Sequence, residues 1–303
     1  MTRLALLLRA QRRARLHGCR SGSAKAHAAD LPKYSLVGDI AVLPPGIDHS
    51  QAPALLSNRI RVVATKEAPC SGQLRKPALR VLAGEQRLAT THVEWGQRFR
   101  LDLNACFFTE RLQPERQRVC GLVAPGERIL VLFSGVGIWP VILATHTRAE
   151  HVVGVEVNPE AHQYALANVK ANSGSTGRVS CVLGDVVQVP RLGLGAFDRV
   201  VAPRPKDHDT DAALAAALPA LLRVGGHLHL YAFATAAELA SLKTGTTETV
   251  GDLSRLLALA GHDRAYELLR VGRCPRAPIG RTGGRSLYRV AVDMRSLVGQ
   301  TPD

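Results

Sequence analysis

The segment from Ile129 to Trp139 (ILVLFSGVGIW) constrains the fold of this chain more than any other. The apolar run Ile129 to Phe133 stops at two closely spaced glycines, Gly135 and Gly137, and an apolar helical pattern follows. Such a run predicts a buried parallel strand that leads into a tight turn. Glycines let a ligand approach the backbone closely, and the next helix points its N-terminus at that ligand. The segment therefore predicts either a ligand-binding turn at the carboxyl end of a strand or a tight turn alone.

Two more predicted strands end in acidic residues. The strand His151 to Glu156 ends about 20 residues after the glycines, where an acid in nucleotide-binding α/β units hydrogen-bonds the ribose hydroxyls. The strand Val179 to Leu183 leads into Gly184-Asp185. Each acid alone is more typical of a helix N-cap or a solvated strand end, but three features at consecutive strand ends favour an adenosine-type ligand. Because the turn lacks the third glycine of the dinucleotide fingerprint, S-adenosylmethionine (SAM) is favoured over NAD.

The remaining pattern divides the chain into two domains. Short β segments separated by turns predict a small β-rich (α+β) domain over residues 30–105. From there strands and helices alternate, which predicts an α/β, Rossmann-like sheet of seven strands over residues 106–297 and a tail at 298–303. The apolar runs are far shorter than the ~20 residues that a membrane span needs, so no membrane partner is expected.

The chain is basic, with a net charge of +14 and a pI of about 10.1. Seven of these charges lie in residues 1–29, which contain no acid. An Arg-rich, acid-free N-terminus predicts an organellar transit peptide, and the scarcity of serine favours the mitochondrial matrix, with the cytosol as a further compartment. The alternative is a disordered basic tail that contacts RNA. The six cysteines and eleven histidines show no metal-ligand spacing, so no metal site is expected.

Six segments resemble one family of enzymes. They are YSLVGDIAVL (34–43), THVEWG (91–96), FFTERLQPER (107–116), FSGVG (133–137), VEVNP (155–159) and LGD (183–185). With them, residues 34–295 resemble the tRNA guanine-37 N1-methyltransferases, the SAM-dependent class I enzymes of eukaryotes and archaea. The resemblance implies the seven-stranded class I methyltransferase sheet, SAM as cofactor and tRNA as partner. A monomer is expected.

The resemblance also implies roles for individual residues. Glu115 matches the general base, in the RLxxE segment, and Arg75 matches the catalytic arginine. A carboxylate can take the proton from guanine N1, and an arginine can stabilise the charge that develops on O6. On the residues alone, Glu115 is equally an ion-pair partner of Arg111 or Arg118 on an exposed helix. The positions that match SAM contacts are Arg116, Phe133, Gly135, Gly137, Glu156, Val157, Asp185, Val186 and Pro203.

Three positions depart from the family pattern. Val131 stands where an acid precedes the glycine turn, Pro203 replaces an asparagine, and Phe107 replaces a tyrosine. Three functions therefore stay open: an active tRNA methyltransferase, a catalytically weakened relative that binds RNA, and an aminocarboxypropyl transferase of wybutosine synthesis. The intact Glu115 favours methylation over the last. Of the other side chains, Phe107, Phe108 and Trp139 are predicted to pack in the core, and Arg204 and Lys206 to contact RNA phosphates.

Overall fold

The computed structural model describes residues 33–46, 49–72, 74–172, 177–205, 211–244, 265–274, 278–282 and 284–298. The predicted transit peptide lies outside the described residues, as do Lys206 and most of the predicted tail at 298–303. The domain boundary near residue 105 stays a prediction.

Six short strands form the β-rich part of the chain, as predicted. Four of them make a sheet in the order β1-β2-β3-β4, in which only β2 and β3 run parallel. The other two form a separate antiparallel hairpin. The strands are β1 (Ser35–Val37), β2 (Ile40–Leu43), β3 (Val62–Ser71), β4 (Lys76–Gly84), β5 (Ala89–Glu94) and β6 (Gln97–Asp102). Strands β3 and β4 pair with each other along their polar ends as well as their apolar parts.

The predicted seven-stranded sheet is confirmed. Its order is β12-β14-β11-β10-β7-β8-β9, and a short strand, β13, also pairs with β14. Strands β9, β8, β7, β10 and β11 run parallel, whereas β14 is antiparallel to both of its long neighbours. The strands are β7 (Arg128–Leu132), β8 (His151–Glu156), β9 (Val179–Leu183), β10 (Phe197–Ala202), β11 (Leu222–Thr235), β12 (Tyr266–Arg273), β13 (Gly280–Thr282) and β14 (Arg285–Ser296).

Helices cover both faces of this sheet. They are α1 (Gln113–Cys120), α2 (Ile138–His146), α3 (Pro159–Ala171), α4 (Asp211–Leu221) and α5 (Ala236–Thr244). Ile129 and Val131 of β7 pack in a cluster with residues of α1 and α2, and Leu130 and Leu132 pack in a cluster with residues of α4. Because both faces of β7 are buried, its sequence is continuously apolar rather than alternating. No helix among the described residues is long and apolar enough to cross a membrane.

Asn168 of α3 and Asn172, which caps the C-terminus of that helix, hold the β5–β6 hairpin against the α/β part of the chain. The amide of Asn168 donates to the carbonyl of Arg100 at 3.0 Å and accepts from its N–H at 2.8 Å. Asn172 makes the same pair of bonds with Arg98, at 2.9 and 3.0 Å. Four helical residues rise about 6 Å and two strand residues about 6.6 Å, so the two amides match alternate residues of β6. They therefore bond the edge of β6 as a neighbouring strand would.

Candidate active site

The glycine turn lies at the carboxyl ends of the parallel strands. Phe133, Gly135 and Gly137 have φ angles of 55°, 57° and 82°, and Gly137 is the N-cap residue of α2. A Cβ atom at Gly137 would lie 3.1 Å from the Cβ of Ala165 on α3, so close packing as well as backbone conformation requires glycine there. In the sheet register Leu132 pairs with Val155, which brings the end of β7 level with the end of β8.

Glu156 is the last residue of β8 and stabilises the glycine turn through hydrogen bonds. Its Oε2 accepts from the N–H of Gly135 and its Oε1 from the N–H of Asn158, both at 2.8 Å. Burial raises the pKa of Glu156, although these backbone donors partly oppose the shift. Each carboxylate oxygen has a second lone pair, so the group can also accept hydrogen bonds from ribose hydroxyls. Val157 follows at the same edge and is partly buried.

Asn158 connects the β-rich part to this edge. Its side-chain oxygen accepts from the N–H of Glu160 at 3.0 Å and caps α3. Its Nδ2 donates to the carbonyls of Leu74 at 3.3 Å and Ala105 at 2.8 Å. The turn that carries Arg75, whose φ is 51°, therefore lies beside the end of β8. The sequence did not predict this role of Asn158, although Asn158-Pro159 carries the usual signal of a helix start.

The remaining predicted cofactor residues differ in burial and in the hydrogen-bonding groups that they present. Asp185 follows β9, and its Oδ1 accepts from the N–H of Val187 at 3.0 Å, so it caps the 3-10 turn 186–192. The side chain of Val186 lies in the core and is 5% exposed. Pro203 follows β10, level with the end of β7 because Val201 pairs with Val131. Its replacement of asparagine leaves a carbonyl as the only hydrogen-bonding group.

Arg116 has a structural position that the resemblance did not imply. It is 1% exposed, and its guanidinium donates two hydrogen bonds of 2.6 Å to the carboxylate of Glu94 on β5. Its Cζ lies 5.8 Å from the ring centroid of Trp139, which is buried as predicted. Glu94 therefore engages the guanidinium group in a buried ion pair, and the SAM contact of Arg116 stays a prediction.

Glu115, the next residue, points toward β11. It is 6% exposed, and its Oε2 accepts from Nε of Arg118 at 2.9 Å and from the hydroxyl of Tyr231 at 3.4 Å. The ion pair with Arg118 agrees with one sequence-based interpretation, but the exposed helix in that interpretation is wrong. Burial, and secondarily the charge of Glu115, raises the pKa of Tyr231 well above its usual value, so this hydroxyl remains a donor.

A chain of buried and partly buried polar groups extends from Glu115. Arg118 donates to both oxygens of Asp293, at 2.7 and 2.9 Å, and Nδ1 of His229 lies 2.7 Å from Asp293. Nε2 of His229 lies 2.6 Å from Arg199, which donates to Glu127. Arginine only donates, so Nε2 accepts and Nδ1 carries the proton. Burial lowers the pKa of His229, in agreement with a neutral ring.

A groove of about 420 Å³ lies between the N-terminal sheet, the segment that leads into α1, and β14. Phe107 lines it and is 41% exposed, so the prediction that this side chain packs in the core is wrong, whereas Phe108 is partly buried in two apolar clusters. The carbonyl of Phe107 lies 3.9 Å from the position that a Cβ of Gly135 would take. The groove therefore adjoins the glycine turn.

Arg204 does not face a ligand. It is 0% exposed, and its guanidinium lies 3.1 Å from a carboxylate oxygen of Asp211 at the start of α4. The predicted contact of Arg204 with RNA phosphates is therefore wrong. Within the described residues, no group of three or more His, Cys, Asp and Glu side chains is arranged to hold a metal ion.

The sheet order, the glycine turn and Glu156 define a class I SAM-dependent methyltransferase fold. Residues 90–250 match the family model of the TRM5/TYW2 methyltransferase domain, and the chain belongs to this family. The tRNA (guanine(37)-N(1))/4-demethylwyosine(37)-methyltransferase Taw22 of Nanoarchaeum equitans is 32% identical over 46% of this chain and 48% of its own length. The tRNA(Phe) (4-demethylwyosine(37)-C(7)) aminocarboxypropyltransferase of Methanocaldococcus jannaschii is 24% identical over 46% of this chain and 56% of its own.

Solved structures share the fold of this chain. The complex of aTrm5 with tRNALeu superposes with a TM-score of 0.67, at 22% identity, over 87% of this chain and 71% of that one. The chain spans about half the length of the two curated relatives named above.

Proposed function

We propose that this protein transfers a methyl group from SAM to N1 of guanine-37 in tRNA. Family membership supports the class of reaction. The observation that carries the proposal is the position of Glu115, which is buried on α1 and bonded to Tyr231 on the helix-covered face that β11 shares with β7. Tyr231 lies one residue beyond Leu230, which pairs with Ala202 at the end of β10, so Glu115 lies close to the strand ends that would hold the cofactor.

The residues present fit SAM. The open glycine turn and the remaining lone pairs of Glu156 suit an adenosine ribose, and Phe133, Gly135, Gly137 and Val157 lie at the same edge. When bound, SAM supplies the activated methyl group. Neutral guanine has a proton on N1 and no free lone pair there, so a base must accept that proton. In the proposal Glu115 accepts it, and Arg75 donates to O6 as negative charge develops there.

The test is methylation of tRNA by the purified chain with labelled SAM. Wild type should incorporate label into tRNA that carries guanine-37 and not into the same tRNA with adenosine-37. Glu115→Gln keeps the size of the side chain and removes the basic carboxylate, so we expect a rate lower by about 10²–10⁴-fold. The matched control is Glu150→Gln, because Glu150 is an exposed glutamate before β8.

The result that contradicts the proposal is specific. If wild type binds both SAM and tRNA but incorporates no label, the protein is an RNA-binding relative without activity, which the loss of the asparagine at Pro203 would explain. If Glu115→Gln methylates like wild type and the Glu150→Gln control does too, Glu115 is not the base.

A second transfer reaction is favoured by one observation, the similarity to the M. jannaschii aminocarboxypropyltransferase. Mass analysis of the nucleoside after reaction separates the two, because an aminocarboxypropyl group adds far more mass than a methyl group. We expect the methyl product, since the RLxxE segment that supplies the base is intact.

We also propose that the protein acts in mitochondria, with residues 1–29 as the transit peptide. The proposal is supported by the seven basic residues and the absence of acids in that segment. Residues 1–29 fused to a fluorescent protein should direct it to the matrix, and a cytosolic signal would contradict the proposal.

A further inference from the structure

Arg289 differs from the three fully buried arginines among the described residues. Arg116, Arg199 and Arg204 are fully buried, and each forms an ion pair with a carboxylate. Arg289 lies on β14 and is partly buried, yet no carboxylate in the described part of the chain pairs with it. Its contact is with an aromatic ring, since its Cζ lies 5.2 Å from the centroid of Phe233.

An enclosed cation without a counter-charge is costly, so its surroundings matter. Arg289 lines the 420 Å³ groove together with Lys33, Lys66 and Arg111, and the only carboxylate in that lining is Glu110. Burial, and the nearby charges of Arg204 and Arg111, lower the pKa of Arg289. The groove therefore has a positive potential that its own residues do not neutralise, which favours an anionic ligand.

The location connects this potential to the proposed active site. In the register of β11 and β14, Arg289 pairs with Phe233, and Ala291 pairs with Tyr231. Residues two apart on a strand lie about 6.6 Å apart on the same face. Arg289 is therefore about 6.6 Å along β14 from Ala291, the residue opposite Tyr231, and the hydroxyl of Tyr231 donates to Glu115. An anion at Arg289 would thus lie beside the proposed base.

We propose that Arg289 binds one phosphodiester group of the RNA, at or next to the nucleotide that reacts. This inference rests on the proposed function, because RNA is the polyanion that the family membership suggests. A guanidinium can bind two phosphate oxygens with parallel hydrogen bonds, and a partly enclosed site strengthens them. Arg289 is then a binding residue whose charge is neutralised only when substrate is present.

The test measures tRNA binding by the full chain at several salt concentrations. We expect Arg289→Gln to weaken binding about tenfold and to reduce the slope of log K against log salt by about 0.7 to 1. Arg289→Lys should keep the slope. The matched control, Arg285→Gln, removes an exposed arginine from the start of the same strand and should change neither quantity.

Neutral backbone substitutions identify the ligand. In tRNA with single methylphosphonates placed along the anticodon loop, one position should weaken binding to wild type and leave Arg289→Gln unaffected. Competition by millimolar inorganic phosphate at the same Arg289-dependent site would instead indicate a site for free phosphate and would overturn the assignment to RNA.

The outcomes separate this inference from the proposed function. If wild type methylates tRNA and Arg289→Gln has wild-type affinity and slope, the Arg289 site is refuted and the function stands. If binding depends on Arg289 but no group is transferred, the site stands and the function fails. If wild type binds no tRNA, both fail. Arg289→Gln should melt no lower than wild type, whereas a structural role would predict a lower melting temperature.

Discussion

The ion pair between Glu94 and Arg116 should be one of the strongest single contributions to the stability of this protein. Its two side chains are 0% and 1% exposed and share two hydrogen bonds of 2.6 Å. Removing Arg116 leaves the buried carboxylate of Glu94 with only His92 nearby, whose Nε2 lies 3.9 Å away, and the loss of one partner of a buried ion pair costs about 3–5 kcal/mol. For a unit of this size, we expect Arg116→Met to lower the melting temperature by about 6–20 °C.

The double variant tests the reasoning. Glu94→Leu with Arg116→Met replaces both charges by apolar side chains, so it should be much more stable than the sum of the two single variants predicts. Urea unfolding followed by circular dichroism and by tryptophan fluorescence gives the free energies, if the two transitions coincide.

Two results would refute this account. One is an Arg116→Met variant within about 1 kcal/mol of wild type, because the loss of both hydrogen bonds from Arg116 to a buried carboxylate should cost more than that. The other is an Arg116→Met variant that stays folded and loses SAM affinity while Glu94→Gln keeps it. That result would support the cofactor contact that the family resemblance implies for Arg116.

Two further predictions concern the network and the glycine turn. Burial would raise the pKa of Asp293, but the hydrogen bonds from His229 and Arg118 outweigh it and hold the pKa at about 2. A lowered folded-state pKa stabilises the protein above the unfolded pKa, so about 2 kcal/mol should be lost as pH falls from about 5 toward 2, and Asp293→Asn should flatten this dependence in urea titrations. An unchanged dependence in the variant would contradict it. Gly137→Ala should lower the free energy of unfolding by about 1–3 kcal/mol, because Gly137 has a positive φ and a Cβ there would press on Ala165. It should also weaken SAM binding measured by calorimetry. A variant with wild-type SAM affinity would show that the turn tolerates a Cβ.

The sequence predicted those parts of the fold that local patterns encode. The range of β8 was predicted to the residue and β7 to within one residue at each end, because a strand buried on both faces must be continuously apolar. The positions of glycine turns and of acids after strands are also set by the local sequence. Gly135, Gly137 and Glu156 therefore lie together at the carboxyl ends of β7 and β8, as the sequence predicted. The partners of Asn168, Asn172 and Glu94 are 22 to 74 residues away in sequence, and no local period encodes such pairs.

In the candidate site, two neighbouring residues show the same difference between what the local sequence predicts and what packing decides. Glu115 and Arg116 are adjacent in one family segment, but successive helical residues point about 100° apart, so one faces β11 and the other faces β5. A resemblance carries over a position in the chain, whereas the partner of a side chain depends on what packs against that side of the helix.

The net charge of the sequence does not show which cations are available to bind RNA. The charge of +14 counts arginines that the fold neutralises internally, such as Arg116, Arg199 and Arg204. These residues cannot attract a polyanion strongly, because a carboxylate lies within hydrogen-bonding distance of each. An RNA surface should therefore be sought among cations without such partners. By that criterion Arg289 is a better candidate than Arg204, although only Arg204 was singled out from the sequence.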